Sequence, residues 1–95
     1  MNKFNILIVD DIAENIHSLK MIIEDSFDIN ILSALSAQEG ISILMQNEVD
    51  LILSDIQMPD IDGFEFAEYI KGVDKPKNIP IIFMIKMNIN KKDII

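Results

Sequence analysis

Val49-Asp50-Leu51-Ile52-Leu53-Ser54-Asp55-Ile56-Gln57-Met58-Pro59-Asp60-Ile61-Asp62-Gly63 is the stretch that decides the fold. Its first five residues form a short run rich in branched apolar side chains. Such a run reads as a strand buried on both faces, as in a parallel sheet. The run ends at Ser54-Asp55, and a loop holding Pro59, Asp60, Asp62 and Gly63 follows. Asp55 is therefore expected at the carboxyl end of a buried strand, the edge at which open parallel sheets bind ligands. A second run of the same kind, Phe4-Asn5-Ile6-Leu7-Ile8-Val9, ends in Asp10-Asp11. If the two strands are neighbours, three carboxylates converge in one crevice.

Such a cluster repels itself. Two unit charges about 4 Å apart cost roughly 4 kcal/mol at an effective dielectric near 20. A proton or a cation offsets that cost. Oxygen ligands without His or Cys nearby suit Mg²⁺, which takes one or two carboxylates and keeps several waters. Taken singly, the acids read as caps: Asp11 for the helix that follows it, Asp60 or Asp62 for the turn before the next helix. Capping explains less of Asp10, Asp11 and Asp55 together, each ending a buried strand.

Ninety-five residues make at most one small domain. A chain of this size buries only about 60–65% of its unfolded surface, so its stability is marginal. Apolar residues make up 49%, yet no uninterrupted apolar run approaches the ~20 residues that span a bilayer. Asn5 and Asp10 interrupt the opening run, so it does not read as a signal peptide. The chain has no Cys, which removes disulfides and thiolate metal sites and suits a cytoplasmic location. Its net charge is −8 and it contains no Arg, which argues against direct binding of nucleic acid. Residues 1–68 hold fourteen acids against Lys3 and Lys20, a net −12; residues 69–95 hold Asp74 and Asp93 against six Lys, a net +4. The basic end reads as a solvated loop.

In chain order, the first strand leads into a helix from Asp11 to about Ser26. Ile12, Ile16, Leu19, Ile22 and Ile23 make its apolar stripe. The lone His17 reads as an exposed helix residue. Ile29 to about Leu35 is the second strand, and Ser36-Ala37-Gln38-Glu39 is a capping box opening a helix to about Asn47. Ile41, Leu44 and Met45 are expected to face inward. After the central strand and the acidic loop, Gly63 opens a third helix or allows a close backbone approach. Phe64, Phe66, Ala67 and Ile70 give that helix its apolar side, and Gly72 ends it. Pro80 starts a fourth strand, Ile81 to Ile85, a tolerated place for proline. Lys86 to Ile95 is polar, with a helix suggested near Asn90.

Strands alternating with helices at intervals of 20–25 residues imply βαβ units and a doubly wound parallel sheet with helices on both faces. The fold class is α/β and flavodoxin-like. Its strand order, 2-1-3-4, sets the first and third strands side by side at the switch point, where Asp10, Asp11 and Asp55 meet.

Ile-Leu-Ile-Val-Asp-Asp at 6–11, Ser-Asp-Ile-Gln-Met-Pro-Asp-Ile-Asp-Gly at 54–63 and Ile-Pro-Ile-Ile-Phe-Met at 79–84 resemble the receiver domains of response regulators in two-component signalling. The resemblance covers residues 5–84, leaving 85–95 as a divergent tail. It implies that Asp55 accepts a phosphoryl group from a sensor histidine kinase or a phosphotransfer protein. It also implies that Asp11, Asp55 and the backbone carbonyl of Gln57 hold Mg²⁺, with Asp10 supporting Asp11 and metal-bound water. Such a domain is not an enzyme beyond promoting its own phosphorylation and dephosphorylation.

The sequence also departs from the family. Its members carry Ser or Thr at the end of the fourth strand; that position is Ile85, and the chain has no Thr and no Ser after Ser54. The family Lys at the end of a fifth strand has no counterpart, nor have the fifth strand and last helices. Lys86 is expected to be a solvated surface lysine. The expectation is a single incomplete receiver domain over residues 1–95 that can hold metal but switches poorly. Its fourth strand would be an exposed edge open to self-association through Ile79–Ile85. Two other readings stay open. One is an interaction module independent of phosphorylation. The other is a Mg²⁺-dependent phosphatase of the haloacid dehalogenase type, ranked last because that class requires D-x-D where this chain has Asp10-Asp11-Ile12.

Overall fold

The computed structural model describes residues 3–58, 61–72 and 78–84. Four strands and three helices alternate: β1 (Asn5–Val9), α1 (Ala13–Ser26), β2 (Asn30–Ala34), α2 (Ala37–Gln46), β3 (Leu51–Asp55), α3 (Gly63–Lys71) and β4 (Ile81–Met84). The strands form one parallel sheet in the order β2-β1-β3-β4, so the flavodoxin-like topology expected from the sequence is the one observed. The expectations for residues 85–95 and the placement of Asp60 and Ile85 lie outside the described residues.

Two-residue periodicity divides the core into two layers. Leu7 and Val9 of β1 and Ile52 of β3 point to one face, where they pack with Ala37, Leu44, Phe66 and Ile70 of α2 and α3. Ile6 and Ile8 point to the other and meet Ile16, with Leu19 and Ile23 beside it on α1. Leu7, Ile8, Val9 and Ile52 are completely enclosed. That explains why β1 and β3 read as near-continuous apolar runs.

β3 lies two residues later than the Val49–Leu53 run suggested. Val49 is buried ahead of the strand, and the Asp50 side chain accepts the Asn5 N–H at 2.8 Å. Ser54 is registered with Val9 and Phe83, and Asp55 with Met84, so the ladder carries the backbone through to Asp55. Phe4, outside β1, is exposed.

The helix expectations need four corrections. α1 begins at Ala13, and its N-cap is Ile12, with no side-chain cap bond. Asp11 therefore does not cap it. Ile12 and Ile22 are exposed: Ile12 precedes the first turn, and Ile22 stands about 100° round the axis from Ile23. In α2, Met45 is exposed for the same reason, one step past Leu44, while Ile41 and Ile43 flank the core. In α3, Phe64 leaves the core and packs its ring on Phe83, centroids 5.0 Å apart. Other local expectations are met. Ser36 Oγ accepts the Glu39 N–H at 3.1 Å, and Asp62 Oδ1 accepts the Glu65 N–H at 2.8 Å. Gly72 is the C-cap of α3, and His17 is exposed.

Candidate functional site

The site is built where β1 and β3 end. Because both strands run parallel and are in register, Asp10 and Asp11 emerge beside Asp55. One carboxylate oxygen from each of the three acids lies within 4.8 Å of the others. Asp10 and Asp55 are 3% and 1% exposed, and Asp11 is half-buried. Burying like charges this closely is unfavourable unless something positive joins them. The donor set is all oxygen. An octahedral ion with ligands at about 2.1 Å spans about 4.2 Å, so the cluster matches a hard divalent cation such as Mg²⁺ in both size and chemistry.

Each acid is held by its surroundings. The Asp10 N–H donates to the Ala34 carbonyl of β2 at 3.1 Å. Asp10 Oδ1 accepts the Ile12 N–H at 2.9 Å, and its Oδ2 accepts from Asn15 Nδ2 at 3.3 Å. Asp55 Oδ1 accepts the Gln57 N–H at 3.2 Å, which brings Gln57 next to the acid with its side chain exposed. The end of β3 is clasped from below by α3. The Gly63 N–H donates to the Ile56 carbonyl at 2.6 Å, and a Cβ at Gly63 would lie 2.6 Å from the Asp55 carbonyl oxygen. The close backbone approach expected of Gly63 is thus realised against the strand that presents Asp55.

All three acids singled out in the sequence come together, and Gln57 stands beside Asp55. Asn15 was missed. As a polar residue between Glu14 and Ile16 it reads in the sequence as a surface residue, whereas the structure half-buries it. The available signal was its position three residues after the N-cap Ile12, the place from which a polar side chain reaches back over a helix start.

The chain matches the family of response regulator receiver domains over residues 6–95. It belongs to that family. It is 37% identical over 84 residues to the transcriptional regulatory protein YvrH of Bacillus subtilis, a match covering 88% of this chain and 34% of that protein. It is also 37% identical over 70 residues to the probable transcriptional regulator ycf29 of Porphyra purpurea, covering 74% of this chain and 32% of that one. The chain thus spans about a third of these relatives' length. Among solved structures, it is similar to the N-terminal domain of a response regulator receiver protein from Methanoculleus marisnigri JR1. The TM-score is 0.83 and the identity 27%, covering 95% of this chain and 72% of that one. No helix among the described residues is long and apolar enough to cross a membrane.

Proposed function

We propose that residues 1–95 act as a cytoplasmic phosphoacceptor in a two-component phosphorelay, with Asp55 taking the phosphoryl group from a sensor histidine kinase or a phosphotransfer protein. The observation that carries this reading is the gathering of Asp10, Asp11 and Asp55 within 4.8 Å in a chain of the receiver family. An Asp55 carboxylate oxygen attacks phosphorus in line. The new O–P bond forms as the N–P bond to the donor histidine breaks, and the departing imidazole takes up a proton from solvent. The Gln57 N–H bonded to Asp55 Oδ1 helps fix the orientation of the accepting carboxylate. Asp10, Asp11, Asp55 and the Gln57 backbone carbonyl form the proposed Mg²⁺ set. The bound ion supplies positive charge that offsets the approach of an anionic phosphoryl group to three carboxylates.

Incubation with a small-molecule phosphodonor and Mg²⁺, followed by intact-mass measurement, tests the reading. A gain of one phosphoryl group that disappears in Asp55→Asn supports it. A second reading, a receiver scaffold that works by binding alone, is favoured by one sequence fact: Ile85 stands where the family has Ser or Thr, and no other residue from 55 onward supplies that hydroxyl. It predicts no mass gain. Under the first reading, the same fact predicts phosphorylation with a weakened conformational response.

A further inference from the structure

We infer that Asn15 is a positioning residue for cation binding in the acid crevice, an inference that rests on the metal reading given above. Asp10 is tethered at three points. Its backbone is tied to β2, one carboxylate oxygen to the Ile12 N–H, and the other to the Asn15 amide. The first two tethers come from the main chain and persist whatever side chains surround them. The Asn15 bond comes from a side chain, and it restrains the rotation of the carboxylate about its own bond. An ionised carboxylate accepts at about four lone-pair sites, so an oxygen engaged by Asn15 keeps a second one for an ion or its water. The amide brings a donor to a buried anionic cluster without adding charge. It therefore lowers the repulsion among the acids while leaving the net charge that attracts the cation.

A purely structural role is the alternative, and it makes a different forecast. Asn15 is half-buried in the first turn of α1, and Ala is a stronger helix former there. If Asn15 serves only the helix, Asn15→Ala leaves metal affinity untouched.

The experiment titrates the full chain with Mg²⁺, read by thermal midpoint and by calorimetry, in wild type, Asn15→Ala, Asn15→Ser, Asn15→Gln and Asp55→Asn. The expected result is a dissociation constant weakened about tenfold in Asn15→Ala and Asn15→Ser, with most of the loss recovered by the longer amide of Asn15→Gln. Saturating Mg²⁺ should return the phosphoryl-uptake rate of Asn15→Ala to the wild-type value. Wild-type metal affinity in Asn15→Ala, alongside lost binding in Asp55→Asn, would overturn the role of Asn15 and leave the crevice reading intact. Equal weakening in Ala and Gln variants, with equally lowered metal-free midpoints, would also overturn it, as a structural effect. A wild-type chain indifferent to Mg²⁺ would remove the crevice reading and this inference with it.

Discussion

A single hydrogen atom is all that position 63 has room for. A methyl group there would meet the Asp55 carbonyl at 2.6 Å and Ile56 Cα at 2.9 Å, both of them backbone atoms. Neither can swing aside as a flexible side chain would. Gly63→Ala must therefore push α3 away from the sheet or displace the end of β3 together with Asp55. Overpacking of this kind costs about 1–3 kcal/mol, and the upper part of that range is expected in urea unfolding. Mg²⁺ binding, read by calorimetry, should weaken in the same variant. Gly72 is the control: its added methyl would make only ordinary contacts, the nearest at 3.4 Å, so Gly72→Ala should stay within about 0.5 kcal/mol of wild type.

The elements are held by a few enclosed side chains and by their caps. Phe66 is the largest fully buried side chain and joins α3 to the layer formed by Leu7, Val9 and Leu44. Its ring also lies against Gly40 of α2, where a Cβ would be 3.3 Å from Cζ. Phe66→Ala should cost about 3–5 kcal/mol in denaturant unfolding, a large part of the stability of so short a chain. Asp62→Ala removes the α3 cap and should cost about 1 kcal/mol. The strands, their order and the three acids were legible in the sequence, because buried parallel strands have few compositional alternatives and β1 and β3 both run into acids. The helix faces were less so. Ile22 and Met45 differ from Ile23 and Leu44 only by one step round the axis, and no hydropathy scale separates them. Phe64 looked like core because it is aromatic, and only the position of β4 makes it a partner for Phe83. Asn15 was hidden because its bond to Asp10 spans a strand end, a turn and a helix start.

For the molecule as a whole, the acid cluster links stability to ligand. A cation that binds only the folded chain should raise its stability by about 2.7 kcal/mol at a hundredfold excess over its dissociation constant. The rise, read as a thermal midpoint with and without Mg²⁺, should vanish in Asp11→Asn and in Asp55→Asn. Among the described residues β4 pairs only with β3, and Ile82 on it is exposed. Self-association through this edge is the corresponding proposal. Sedimentation velocity across a dilution series should show the mass falling towards monomer, and Ile82→Lys should shift the chain to monomer throughout. A concentration-independent wild-type monomer would remove the idea.

β1 lies between β2 and β3, with Asn5 meeting Asn30 and Ile6 meeting Leu51. Of the described strands, β1 is thus synthesised before either of its two neighbours in the sheet. At roughly 5–20 residues per second, its oily segment waits on the order of seconds for the second of them. During that interval Ile6 to Val9 is open to a chaperone or to a neighbouring nascent chain. Codon changes that slow translation between residues 10 and 50 should lower soluble yield while leaving the finished molecule unaltered.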